Sequence, residues 1–78
     1  MSATQIDHLV KMANQIALNL AAGRDEEAVA KATGEHITRF WTPAMRAQLR
    51  QFWRDGGEGL APAVSGFLES SAAGTQTQ

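Results

Sequence analysis

Arg46, Arg50 and Arg54 recur at intervals of four residues, which on an α-helix places them in one nearly straight stripe. An arginine side chain ends in a planar fork of N–H donors that pairs with a carboxylate through two bonds at once and stacks on aromatic rings. Arg39, Trp41 and Trp53 share the same stretch, and from His36 to Arg54 there is no acidic residue. Overall composition does not explain this segregation. Seven Lys+Arg face eight Asp+Glu across the chain, a formal net charge of −1. Exposed Trp and Arg most often anchor protein–protein contacts. The chemistry expected of this segment is recognition of another chain.

Two other groupings invite a chemical reading and carry less. His36 beside Glu35 has the types for acid–base or metal work, but a lone histidine on an apolar helix face is more often a hydrogen-bonded structural residue, and no partner residues accompany it. Gly56-Gly57-Glu58-Gly59 is glycine-rich, yet it follows a helix and lacks a downstream Lys-Ser/Thr, so it reads as a helix cap and turn rather than a phosphate loop. No nucleophile–base–orienter set is recognisable. The expectation is no catalytic residue, no cofactor-binding residue and no metal ligand in this chain.

The arginine stripe also allows a second class, a small helix-turn-helix-like nucleic-acid-binding regulator. Against it stand the slightly acidic balance and the first turn of the helix, where Pro43, Ala44 and Met45 replace the Asn, Gln or Arg that would reach base edges. Three like charges at this spacing cost a few tenths of a kcal/mol per pair in an isolated helix, which favours an acidic counter-surface.

The elements that must position these residues are helices. Ile6, Leu9, Val10, Ala13, Ile16, Ala17 and Leu20 follow the i, i+3, i+4, i+7 pattern, with Thr4 and Asp7 resembling a capping box and Gly23 placed to end the helix. Leu18 falls outside that arc, either as an isolated exposed leucine or as part of a second contact surface. Asp25 opens a second helix, with Glu26 and Glu27 near the positive end of its dipole and Val29, Ala32, Thr33, His36, Ile37 and Phe40 as its inward arc. Gly34 costs about 1 kcal/mol there relative to alanine; it either admits a close neighbour or breaks the helix. Thr42 and Pro43 supply the N-cap and first residue of a third helix that runs to about Asp55, with Met45, Leu49, Phe52 and Trp53 on its apolar side. Ala63, Val64, Phe67 and Leu68 are enough for a short fourth helix.

The fold class expected is all-α: a small three-helix bundle with a short C-terminal fourth helix, residues 1–68, and a disordered tail, 69–78, too poor in apolar residues to pack. A chain of 78 residues is near the size where one core barely offsets chain entropy, and with no cysteine neither disulfides nor a thiolate zinc site can help. Association with another chain is the remaining stabiliser. No secretory signal and no apolar run of about 18 residues is present, which points to a cytoplasmic protein with no membrane contact.

Three blocks carry a family likeness: Leu9-Val-Lys-Met-Ala-Asn-Gln-Ile-Ala17, His36-Ile-Thr-Arg-Phe-Trp-Thr-Pro-Ala-Met-Arg46 and Gly56-Gly-Glu-Gly-Leu-Ala-Pro62. In this order they strongly resemble the delta subunit of cytoplasmic, NAD-dependent, molybdenum-containing formate dehydrogenases, over roughly His8 to Val64. The middle block is the specific part. The resemblance implies a small accessory subunit without cofactor, whose partners are the alpha subunit with its molybdenum cofactor and iron–sulfur clusters and the beta and gamma subunits that handle flavin and NAD. It implies a role in assembly or stability of that complex, and no chemistry of its own.

The partner interface expected from the residues is Arg39, Trp41, Pro43, Met45, Arg46, Arg50 and Trp53. Phe40, Leu49 and Phe52, at the centres of their apolar arcs, are expected inside. Trp41 and Trp53 sit at arc edges, where a ring can meet another chain or simply cap the bundle's own core.

Overall fold

Periodicity with a helical repeat and no alternating pattern leaves only helix packing to build the core. The computed structural model describes residues 5–76, with side chains described through Ser71. It is a small all-α bundle of four helices: α1 Gln5–Leu20, α2 Glu26–Phe40, α3 Pro43–Arg54 and α4 Pro62–Gln76. The expected capping residue Thr4 lies outside the described residues.

Local chemistry sets the ends. The Asp25 carboxylate accepts from the Ala28 N–H at 2.8 Å and caps α2, and the Thr42 hydroxyl accepts from the Met45 N–H at 3.2 Å and caps α3. At the other end of α3 the Gly57 N–H donates to the Phe52 carbonyl at 3.0 Å, with Gly57 at φ 62°, the left-handed conformation that favours glycine. The glycine-rich run is a turn, as its position implied.

The core is Leu9, Ala13 and Ala17 of α1, Val29 and Ile37 of α2, Trp41 at the junction, Leu49 of α3, and Ala63, Val64 and Leu68 of α4. The first helix buries the arc its sequence marks. In α2 the buried stripe is Val29, Thr33, Gly34 and Ile37, displaced from the expected arc, with His36 and Phe40 exposed. The displacement has a cause. Phe67 of α4 lies against Gly34 so closely that a Cβ there would collide with its ring, so α4 covers the glycine side of α2.

The fourth helix is therefore no appendage. Its main neighbour is α2, and the two run in the same direction, since Gly66 lies beside Ala30, Phe67 beside Gly34, and Thr38 and Ser71 line one cleft. It also extends past Leu68 to Gln76, so residues 69–76 are helical where a disordered tail was expected. A helix already nucleated by packed side chains propagates cheaply, and no proline interrupts this stretch.

One side chain ties the bundle's start to its last turn. Asn14 of α1 donates to the Gly59 carbonyl and accepts from the Ala61 N–H, both at 2.8 Å. Its carboxamide thereby pairs two backbone groups of the α3–α4 connection that no helix satisfies. Asn14→Ala is expected to lower stability by about 1–3 kcal/mol, the cost of leaving partly buried polar groups unpaired. A urea midpoint unchanged from wild type would show that packing alone holds this turn.

Candidate partner-docking surface

The α2–α3 junction inverts the expected roles of its two aromatic residues. Trp41 is the C-cap of α2, at φ −91° and ψ 148°, with its N–H donating to the Ile37 carbonyl at 2.9 Å. Extended backbone takes its side chain off the helical wheel that governs residues 26–40, and the indole turns into the core, 6% exposed. Trp41 is thus a core residue in this chain and not a surface anchor. Phe40, expected inside, is 67% exposed as the last residue of α2, and its ring lies against His36 with centroids 4.7 Å apart. The sequence did carry the signal: Thr42-Pro43 fixes the break, and a residue at a break leaves the wheel.

Along α3, Leu49 is fully buried, while Met45, Phe52 and Trp53 are half-buried. Phe52 is less internal than expected. Arg39 and Pro43 are exposed, as is Arg54 at the end of the stripe. Arg46 and Arg50 are half-buried instead of fully solvated, because they lean from α3 toward α2 and α4. They line a cleft of about 40 Å³ with Thr38 and Ser71, floored by Ile37, Leu49, Phe67 and Leu68. Arg50 donates from Nη2 to the Ser71 hydroxyl at 3.2 Å. The Nε atoms of both arginines are shut off from solvent with no hydrogen-bond partner among the described residues.

The cleft adjoins a much larger open groove of about 1120 Å³ between α2 and α4, the two sharing Thr38, Phe67 and Ser71. Glu26 and Glu27 border the groove where α2 begins, Lys31 and Glu35 follow along it, and Arg39 stands where the helix ends. Of the seven expected interface residues, the structure brings Arg46 and Arg50 together on the cleft and places Arg39 beside it on the groove. Pro43, Met45 and Trp53 belong to the junction and to α3. Leu18, 68% exposed on α1, stands as a large apolar side chain on a separate element. Sequence reading missed Phe40 as a surface residue and the closure of the cleft by Ser71. Among the described residues, no group of three or more His, Cys, Asp or Glu side chains is close enough to hold a metal ion, and no helix is long and apolar enough to cross a membrane.

The fold and this surface define a small helical chain whose distinguishing chemistry is an arginine and aromatic face. The sequence model of the NADH-dependent formate dehydrogenase delta subunit family, FdsD, matches residues 8–66, and the chain belongs to that family. All three blocks of the resemblance lie inside the matched span. No curated protein and no solved structure matches the chain.

Proposed function

We propose that this chain is a non-catalytic accessory subunit of an NAD-dependent formate dehydrogenase, working in the cytoplasm to support assembly or stability of the molybdenum-containing alpha subunit and its complex. It carries no cofactor of its own. Membership of the delta-subunit family over residues 8–66 is the observation that carries this reading. The docking surface proposed is the end of α2 and the half-buried flanks of α3 on either side of Leu49: Arg39, Phe40, Pro43, Met45, Arg46, Arg50 and Trp53. Phe40 takes the place that Trp41 vacates by folding inward. The half-burial of Arg46 and Arg50 against α2 and α4 supports a protein partner over nucleic acid, because phosphate tracking needs guanidinium groups extended from the surface.

Isolation of the tagged chain from its native cells should bring formate dehydrogenase subunits with it. The chain alone should reduce no NAD when given formate, and should bind neither flavin nor metal. Formate-dependent turnover by the isolated 78-residue protein would overturn the accessory role, and a preparation free of any formate dehydrogenase subunit would overturn the partnership.

A further inference from the structure

The cleft between Arg46 and Arg50 contains an imbalance that the free chain does not resolve. Two cationic side chains approach it from one helix, four residues apart, and both Nε–H donors are buried without an acceptor. A donor on a charged group that is cut off from water and left unpaired is costly, and more so than a neutral one. Among the described residues none of Arg39, Arg46, Arg50 and Arg54 forms an ion pair, and α3 contains no carboxylate. The remaining lining groups are the hydroxyl-bearing Thr38 and Ser71 over an apolar floor.

We propose that this cleft receives one carboxylate side chain from an acidic segment of a partner protein, held by the terminal Nη–H groups of Arg46 and Arg50. The proposal rests on the accessory-subunit reading, and it adds the chemistry of the contact. Charge complementarity selects an anion. The planar fork formed by the two Nη groups of a guanidinium matches the two oxygens of a carboxylate. Space selects a side chain: about 40 Å³ admits a group of a few atoms on a flexible stem, whereas a phosphate on a nucleic-acid backbone is larger and tied at two ends. The adjoining groove offers a path for the rest of the segment. The charges along it alternate, Glu26 and Glu27, then Lys31, Glu35 and Arg39, so the cleft and not the groove supplies the selection for an acidic group.

Two measurements decide it. In the isolated full chain, the Nε–H resonances of the arginines are followed by nitrogen-15 NMR while acetate replaces chloride at constant ionic strength. Those of Arg46 and Arg50 should move together and saturate, while those of Arg24 and Arg54 stay in place. No movement, or equal movement of all four, would overturn the clamp. In native cells, Arg46→Lys with Arg50→Lys keeps both charges and removes the forks; it should lower co-purification of the complex about tenfold, the size expected when bidentate pairing is reduced to a point charge. Arg24→Lys with Arg54→Lys, both exposed and outside the proposed surface, should co-purify as wild type does. If the wild-type chain co-purifies and the Arg46/Arg50 pair of lysines does so equally well, the clamp is wrong and the accessory role stands. If the wild-type chain brings no formate dehydrogenase subunit, the accessory role falls and the resonance shifts decide the clamp alone. Retention on duplex DNA that depends on Arg46 and Arg50 would assign the cleft to phosphate and overturn the carboxylate.

Discussion

Trp41→Ala should lower the melting midpoint of the isolated chain steeply, while Phe40→Ala, one residue away, should leave its stability nearly unchanged. Removing a large buried aromatic side chain costs about 3–5 kcal/mol in lost burial and cavity. A chain of this length has about 4–12 kcal/mol in total, at the usual 0.05–0.15 kcal/mol per residue. Each kcal/mol lost lowers the melting midpoint of a domain this size by about 4–8 °C. Trp41→Ala should therefore melt at least about 12 °C below wild type by circular dichroism. Phe40 is 67% exposed and contacts only the His36 ring among aromatic side chains, so its truncation should stay within about 0.5 kcal/mol. Its effect should appear in capture of the complex instead. A Trp41→Ala chain that melts like wild type would return the indole to the surface and overturn the division between core and docking residues drawn at this junction.

Gly34 carries the second large effect, and there the ordinary rule reverses. Alanine for glycine inside a helix normally gains about 1 kcal/mol. Here the added Cβ would meet the Phe67 ring, which is itself wedged between α2 and α4. Overpacking of this kind costs about 1–3 kcal/mol, so Gly34→Ala should lose stability and Gly34→Val should lose more, about 3 kcal/mol. Combining Gly34→Ala with Phe67→Leu should recover part of the loss, because the smaller side chain clears the site. Stabilisation by Gly34→Ala alone, read from a denaturant midpoint, would show that Phe67 swings away freely and that the close approach is not what holds α4 on α2.

The contrast between Leu49 and Phe40 shows how far sequence reaches in this protein. Leu49 lies mid-helix, where a constant 100° turn per residue fixes its direction, and it is fully buried as its pattern implied. Phe40 and Trp41 straddle a break, and there the wheel has no authority: the same two residues exchange inside and outside when the backbone becomes extended. Caps were legible for the same local reason, since Asp25, Thr42-Pro43 and the glycine turn act within three or four residues of themselves. Long-range partners were not. Gly34 showed that something approaches closely, but only the folded chain identifies Phe67 as that group. Arg46 and Arg50 were legible as a stripe, while their recess against Thr38 and Ser71 depends on α4 continuing beyond Leu68. That extension has little apolar patterning to announce it.

The Asn14 carboxamide has a bearing on how the chain comes into being. Its two backbone partners lie 45 and 47 residues downstream, so during synthesis the first helix appears long before the groups that complete its surroundings. At about 5–20 residues per second, that interval is about 2–9 s, far longer than helix formation or collapse requires. Through that delay the emerging α1 holds Leu9, Ala13 and Ala17 without the fourth helix that later covers the core, an interval in which a nascent apolar face is open to other chains. Completion of this bundle therefore waits on the arrival of Ala61 and α4, whatever the earlier helices have formed among themselves.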